Sequence, residues 1–324
     1  MTMTDTTAAV ATRDVAADHA LRQLGTLLKD SGHSFTTVTP ATHQRVNDRP
    51  GNARARNARD VFGWSRPFGP GVLPDELVEL MDAAGVLDRD GDTWRSSVRF
   101  SSYDGELFVH SAFPTTAADS VFFGPDTYRM ADAAAAHVVA RERPVRRAVD
   151  IGCGTGAGAI TVAKRAPEAE VLAVDINDAA LRFARVNTGL AGTPGVRPCR
   201  SDLLDDVDGD FDLIVSNPPF MIDPAGRAYR DGGGEHGHDL SLAIIDAAAK
   251  RLRPGGSLVL FSGTGIVDGQ DPFEAAAADH LAGTDLTWSY REVDPDVYGE
   301  ELDGPAYAHA ERLAVVVLTA VRPG

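Results

Sequence analysis

Apolar and polar positions change their period along this chain of 324 residues, and those changes mark its organisation. Between residues 16 and 29, Ala17, Ala20, Leu21, Leu24, Leu27 and Leu28 recur at three- and four-residue spacing, which predicts a helix with one apolar face. The polar, Thr-rich residues 1–14 ahead of it read as a disordered tail, and residues 40–50 as a polar loop. Pro74 followed by Asp75 and Glu76 opens a short helix, with proline and acids where the first turn accepts them. Alternation then takes over at residues 94–100 and 107–112, and predicts two strands. Beyond an alanine-rich helix at 131–141 the pattern becomes regular. Apolar runs predict strands at 146–151, 170–175, 196–200, 211–216, 257–262, 285–293 and 312–321. Amphipathic stretches predict helices at 156–166, 178–190, 238–252 and 272–282. Strand–helix alternation calls for a parallel sheet wrapped by helices, with one of the last two strands antiparallel because no helix joins them.

Composition narrows the setting. Two cysteines, Cys153 and Cys199, make no disulfide framework and suit a reducing, cytoplasmic environment. The N-terminus lacks the basic and apolar regions of a signal peptide, and the apolar run at 313–321 is too short to span a bilayer. Residues 1–115 hold 12 Lys and Arg against 15 Asp and Glu; residues 116–324 hold 19 against 32. An acidic balance in the half that carries the chemistry disfavours a nucleic-acid partner, which would need a basic face. Arg54, Arg56, Arg59 and Arg66 read as a solvated helix face more readily than as an anion site.

The candidate chemistry sits at strand ends. Residues 149–160, V-D-I-G-C-G-T-G-A-G-A-I, combine a buried strand, a turn with alternating glycines and a helix start. Such glycines serve where φ is positive or where a ligand approaches the backbone closely, and the helix N-terminus favours hydrogen-bond acceptors. Gly152-x-Gly154-x-x-Ala157 also fits a dinucleotide fingerprint. Asp175 ends the next apolar run, 19 positions after Gly156, where a second parallel strand delivers a carboxylate to ribose hydroxyls. Asn217-Pro218-Pro219-Phe220 ends another run, and a dehydrogenase has no use for it.

With these motifs together, the chain from about residue 121 onward resembles the class I S-adenosylmethionine-dependent methyltransferases, in the branch whose Asn-Pro-Pro-aromatic signature methylates nitrogen. The resemblance implies an α/β fold: a seven-stranded Rossmann-like sheet over residues 116–324. Residues 1–115 would form a small α+β recognition domain similar to a winged-helix module, used for substrate recognition, lid formation or homodimer contact. S-adenosylmethionine is the implied cofactor. Gly152, Gly154 and Gly156 would face its methionine portion, Asp150 its ammonium, Asp175 its ribose, Ile176 and Leu203 its adenine, and Asp202 the adenine amino group. Thr127 and Tyr128, in a segment similar to one that folds over the cofactor in glutamine and ribosomal methyltransferases, are further contacts; a helix cap is the alternative for Asp126 or Thr127. Asn217 and Pro218 would accept hydrogen bonds from the nitrogen to be methylated, with Phe220 packed against it. Pro219, Tyr229, Arg230, Asp231, His238 and Glu300 would line the acceptor site, the loop at 229–239 acting as a flexible lid. No metal is implied. The acidic run 292–303, with Glu292, Asp294, Asp296, Glu300, Glu301 and Asp303, would lie at the rim of that site and suit a small amine or guanidine as acceptor, a solvated acidic loop being the alternative. A protein glutamine is the second reading, ribosomal RNA guanine the third, and a cofactor-sensing regulator the non-enzyme alternative.

Overall fold

The computed structural model describes residues 3–223, 225–227 and 229–324, with side chains from residue 14 onward. Two compact units emerge: one comprises the chain up to Thr116 with Phe122–Gly124 and Arg185–Gly192, the other the remainder.

The first unit is α+β. It contains α1 (Met3–Asp30), α2 (Pro40–Asn47), α3 (Ala58–Phe62) and α4 (Asp75–Ala84). Two hairpins follow, β1 (Leu87–Asp90) with β2 (Thr93–Ser96) and β3 (Val98–Tyr103) with β4 (Glu106–Ser111). α1 starts at Met3, so the expected tail is helical there; no glycine or proline interrupts the sequence before Gly25. Its apolar stripe buries Ala20, Leu21, Leu24 and Leu28. The strand expected at 94–100 is two strands, because the Ser96 hydroxyl bonds both backbone groups of Val98 and so takes the place of ladder partners. The arginines at 54–66 are not a uniform solvated face. Arg66 is buried on Asp60 at 2.6 Å, and Arg59 lies over the Phe35 ring.

Asn187 belongs to this unit and is fully buried. Its side chain accepts from Val109 N at 2.7 Å and donates to Val109 O at 3.0 Å. Replacing Asn187 by leucine leaves both backbone groups buried and unpaired, at about 1–3 kcal/mol each. The expected outcome is a drop of a few kcal/mol in unfolding free energy by denaturant titration; an unchanged midpoint would remove the bracing role of Asn187.

Onward along the chain, α5 (Pro125–Ala140) precedes β5 (Arg147–Ile151), α6 (Ala157–Arg165), β6 (Glu170–Asp175), α7 (Asp178–Ala191, of which the second unit holds the part up to Ala184), β7 (Val196–Arg200) and β8 (Phe211–Ser216). Then come α8 (Asp239–Arg251), β9 (Leu252–Ile266), α9 (Pro272–Leu281), β10 (Thr287–Asp294), two short 3-10 turns (Gly299–Asp303 and Pro305–Tyr307) and β11 (Arg312–Val321). The seven-stranded sheet runs β10-β11-β9-β8-β5-β6-β7. β9, β8, β5, β6 and β7 are parallel, and β11 is antiparallel to both of its neighbours. This is the α/β sheet expected from the alternation of periods. β9 runs well beyond the expected 257–262, since β11 pairs with it from Ser257 to Ile266. Val149, Ile151, Leu172, Val174, Ile214, Leu258 and Leu260 form the core of the sheet. No helix among the described residues is long and apolar enough to cross a membrane.

The chain order reverses between β5 and β8. β5 is followed on one side by β6, and β8 on the other by β9, so a crevice opens at the carboxyl ends of the two strands.

Candidate active site

Register brings the two principal motifs together. Ile151 pairs with Ser216, and the Ser216 hydroxyl donates to Ile151 O at 2.7 Å. Gly152 and Asn217 are the next residues on adjacent strands, so the glycine turn and the Asn-Pro-Pro-Phe motif leave the sheet side by side. The turn is anchored to β6 as well: Cys153 N donates to Val174 O at 2.9 Å and Gly154 N to Asp175 Oδ2 at 2.9 Å. Gly154 has φ +52°, a conformation that lets its N–H reach the carboxylate.

The carboxylates differ in their surroundings. Asp175 Oδ1 accepts from Asn177 N at 2.9 Å, and burial raises its pKa against the pull of these backbone donors. Each oxygen thus holds one backbone group and keeps a lone pair for a hydroxyl. Ile176 beside it is 52 % exposed, a large apolar side chain without a cover. Asp202 is exposed in a turn after β7, and Leu203 follows at φ +46°, so no helix begins there for Asp202 to cap. Asp150 is buried; its Oδ2 accepts from Ala159 N at 2.8 Å while Oδ1 has no partner. α5 begins at Pro125, which puts Asp126 and Thr127 in its first turn rather than at its cap. Thr127 is buried and Tyr128 half-buried. Asp126, also buried, accepts from the Tyr298 hydroxyl on Oδ2 and has no partner on Oδ1; burial pushes its pKa up to about 6.

These groups fit S-adenosylmethionine. A Cβ at Gly152 would meet nothing within 4 Å, which leaves the turn open to a ligand. The Asp150 and Asp126 oxygens lack donors that an ammonium can supply, and Ile176 offers an uncovered apolar face.

Backbone and side-chain bonds link the described residues of the acceptor side. Met221 N donates to Arg230 O at 3.0 Å, Gly232 N to Met221 O at 2.9 Å, and Asp223 N to the Asp231 carboxylate at 3.4 Å. Arg230 forms ion pairs with Glu301 at 2.6 Å and Asp223 at 3.8 Å, and its Nε lacks a hydrogen-bond partner. Glu301, not Glu300, is therefore the acid engaged here; Glu300 is exposed. Tyr229 and Pro219 are half-buried. His238 is buried against Phe273, bonded to the Gly263 backbone and without a partner on Nε2; burial lowers its pKa to about 4, so the ring is neutral. Phe220 is buried as well, edge-on to Phe261 at 6.3 Å between ring centroids. Asn217 Oδ1 is buried without any hydrogen-bond partner. The pairing of Glu301 with Arg230, and the contacts of Tyr298 and Tyr307, were not legible, because their partners are far away in sequence. Among the described residues no group of three or more His, Cys, Asp and Glu is placed to hold a metal ion.

Burial pushes the Asp150 carboxyl up to about 7. Its folded pKa lies above the unfolded value, so the charged form opposes folding. That cost is absent below the unfolded pKa and complete above the folded one, on the order of 4 kcal/mol. Asp150→Asn keeps an acceptor for Ala159 N. Its melting temperature relative to wild type is expected to rise between about pH 4 and about pH 7 and to level off above that. Parallel melting curves for the two proteins would sink the buried-charge assignment.

Comparison with known proteins places this geometry. Residues 128–265 match the family model described as the methyltransferase small domain. The release factor glutamine methyltransferase of Deinococcus radiodurans is 37 % identical over 170 residues, covering 49 % of this chain and 56 % of that protein. The 4-amino-L-phenylalanine/4-methylamino-L-phenylalanine methyltransferase of Streptomyces pristinaespiralis is 31 % identical over 160 residues, 45 % of this chain and 51 % of that one. Among solved structures, M. jannaschii tRNA m1G37 methyltransferase aligns with a TM-score of 0.48 at 18 % identity, over 70 % of this chain and 57 % of that chain. The chain spans about half the length of these two relatives. The segment that holds the glycine turn, Asp175 and Asn217 lies within residues 128–265 and is similar to the methyltransferase small domain and to release factor glutamine methyltransferases.

Proposed function

We propose that this chain methylates a nitrogen, with Asn217 and Pro218 presenting the acceptors that orient it. The observation that carries this reading is the buried, unpartnered Oδ1 of Asn217, one residue beyond the Ile151–Ser216 pairing and beside the glycine turn. S-adenosylmethionine supplies a methyl group already activated on a sulfonium. The chain then has to aim a lone pair, and two acceptors on one N–H pair do so. Both N–H groups would bond to these acceptors while the lone pair points at the methyl; the new N–C bond would form as the sulfonium S–C bond breaks, and one N–H proton would pass to solvent. Pro218 and Pro219 restrict the backbone so that these acceptors keep their direction. Asp175 holds the ribose, Gly152, Gly154 and Gly156 the methionine portion, and Asp202, Ile176 and Leu203 the adenine. Asp150, Thr127 and Tyr128 complete the cofactor side.

For the acceptor, the side-chain amide of a glutamine in a protein has the best support, from relatives named release factor glutamine methyltransferases. A small amine is the second reading, favoured by the likeness to the 4-amino-L-phenylalanine enzyme. A primary amide and a primary aryl amine each present a nitrogen with two hydrogens. Selection of a cation by the rim acids has less support, because Glu301, Asp294 and Glu292 are paired with Arg230, Arg129 and Arg312.

Asn217→Ala is expected to lower labelled-methyl transfer by on the order of 100-fold or more while S-adenosylhomocysteine binding by calorimetry stays within a few fold. Surviving turnover would remove Asn217 from the reaction. Asp175→Ala is expected to weaken the same binding by roughly 100-fold, and unchanged affinity would move the ribose site elsewhere. Release factor protein and aryl amines, tested side by side as acceptors, decide between the two substrate classes.

A further inference from the structure

The segment between β10 and β11 makes a contact that the proposed reaction does not use. Tyr307 is 3 % exposed, and its hydroxyl accepts from Ile222 N at 2.9 Å and lies 3.7 Å from Met221 Sδ. These two residues directly follow Asn217-Pro218-Pro219-Phe220, so Tyr307 grips the chain where it leaves the motif.

β9 provides the base on which this grip rests. Gly263 and Gly265 point to the same face of the strand. A Cβ at Gly263 would fall 2.4 Å from the Phe220 ring, and one at Gly265 would sit 3.5 Å from Tyr307 Cδ1. The two rings therefore lie on neighbouring glycines of one strand. Gly237 closes the motif from another side, where a Cβ would be 2.6 Å from Phe220 O. The glycines serve contact here, and the result is a clamp around the motif.

We propose that Tyr307 is a positioning residue for methyl transfer: its hydroxyl holds the Ile222 amide and so fixes the direction of the acceptors on Asn217 and Pro218. The role rests on the reading of Asn217 given above. Tyr307→Phe removes the hydroxyl and keeps the ring on Gly265. Without it the Ile222 amide loses its partner and the motif gains freedom at its C-terminal end.

The test needs no identified acceptor. Sinefungin is a cofactor analogue with an amine-bearing carbon in place of the methyl-bearing sulfur, so its amine probes the Asn217 oxygen; S-adenosylhomocysteine lacks that amine and reports only the rest of the site. Calorimetric affinities for both are compared in wild type, Tyr307→Phe and Asn217→Ala. The expected result for Tyr307→Phe is a loss of about fivefold for sinefungin, the size of one misaligned hydrogen bond, with S-adenosylhomocysteine within about twofold. Equal losses for both ligands, or none, overturn the positioning role. A selective loss in Asn217→Ala without one in Tyr307→Phe overturns it alone. No selective loss in Asn217→Ala overturns the reading of Asn217 and the positioning role with it.

Discussion

The pairing of β5 with β8 is the constraint on which the rest of the catalytic unit depends. Strand register is specified where a strand buries particular side chains, because a slip of one residue turns every side chain to the opposite face of the sheet. Here Val149 and Ile151 on one strand and Ile214 on the other are buried in the same core, and the Ser216 hydroxyl on Ile151 O reinforces the match. With that register set, the glycine turn and Asn217 emerge together. Asp175 then joins them through Gly154 and Cys153, which tie the turn to the end of β6. The glycine turn, Asp175 and Asn217 come together because three strand ends are parallel and adjacent.

The two sides of the site are built from different materials. On the cofactor side the chain leaves open turns and orphaned acceptors: Asp150 Oδ1, Asp126 Oδ1 and the uncovered Ile176. Their raised pKa values follow from burial, and a cationic ligand is what such acids lack. On the acceptor side nearly every polar group is already engaged. Arg230 is held by Glu301 and Asp223, Asp231 receives backbone donors, and Tyr307 takes the Ile222 amide. Asn217 Oδ1, Arg230 Nε and His238 Nε2 are the buried atoms there that lack hydrogen-bond partners among the described residues, and Asn217 Oδ1 is the acceptor among them that belongs to the Asn-Pro-Pro-Phe motif. Gly232 and Gly237 in this loop pack closely on the Phe220–Met221 backbone.

Much of this was legible in the chain itself. Periodicity placed the strands and helices of the second unit within a few residues, because each β-strand is a short apolar run and each helix an amphipathic one. Asp175 and Asn217 were legible since their chemistry is local: a side chain at the end of a strand, at a set distance from a glycine turn. Errors arose where a partner distant in sequence decided the outcome. β9 grew to its full length on β11, and Ser96 split one apparent strand into two through its own bonds to Val98.

By itself, then, the sequence determined the order of elements, the glycine turn, the strand-end carboxylate and the Asn-Pro-Pro-Phe motif, all written in contiguous residues. Only the tertiary structure decided that Glu301 rather than Glu300 pairs with Arg230, that Tyr298 meets Asp126, and that Tyr307 grips Ile222. These partners are separated by between 71 and 172 positions. A hydrogen bond across such a span leaves no periodic trace, because its geometry exists only once the sheet has brought the two ends together.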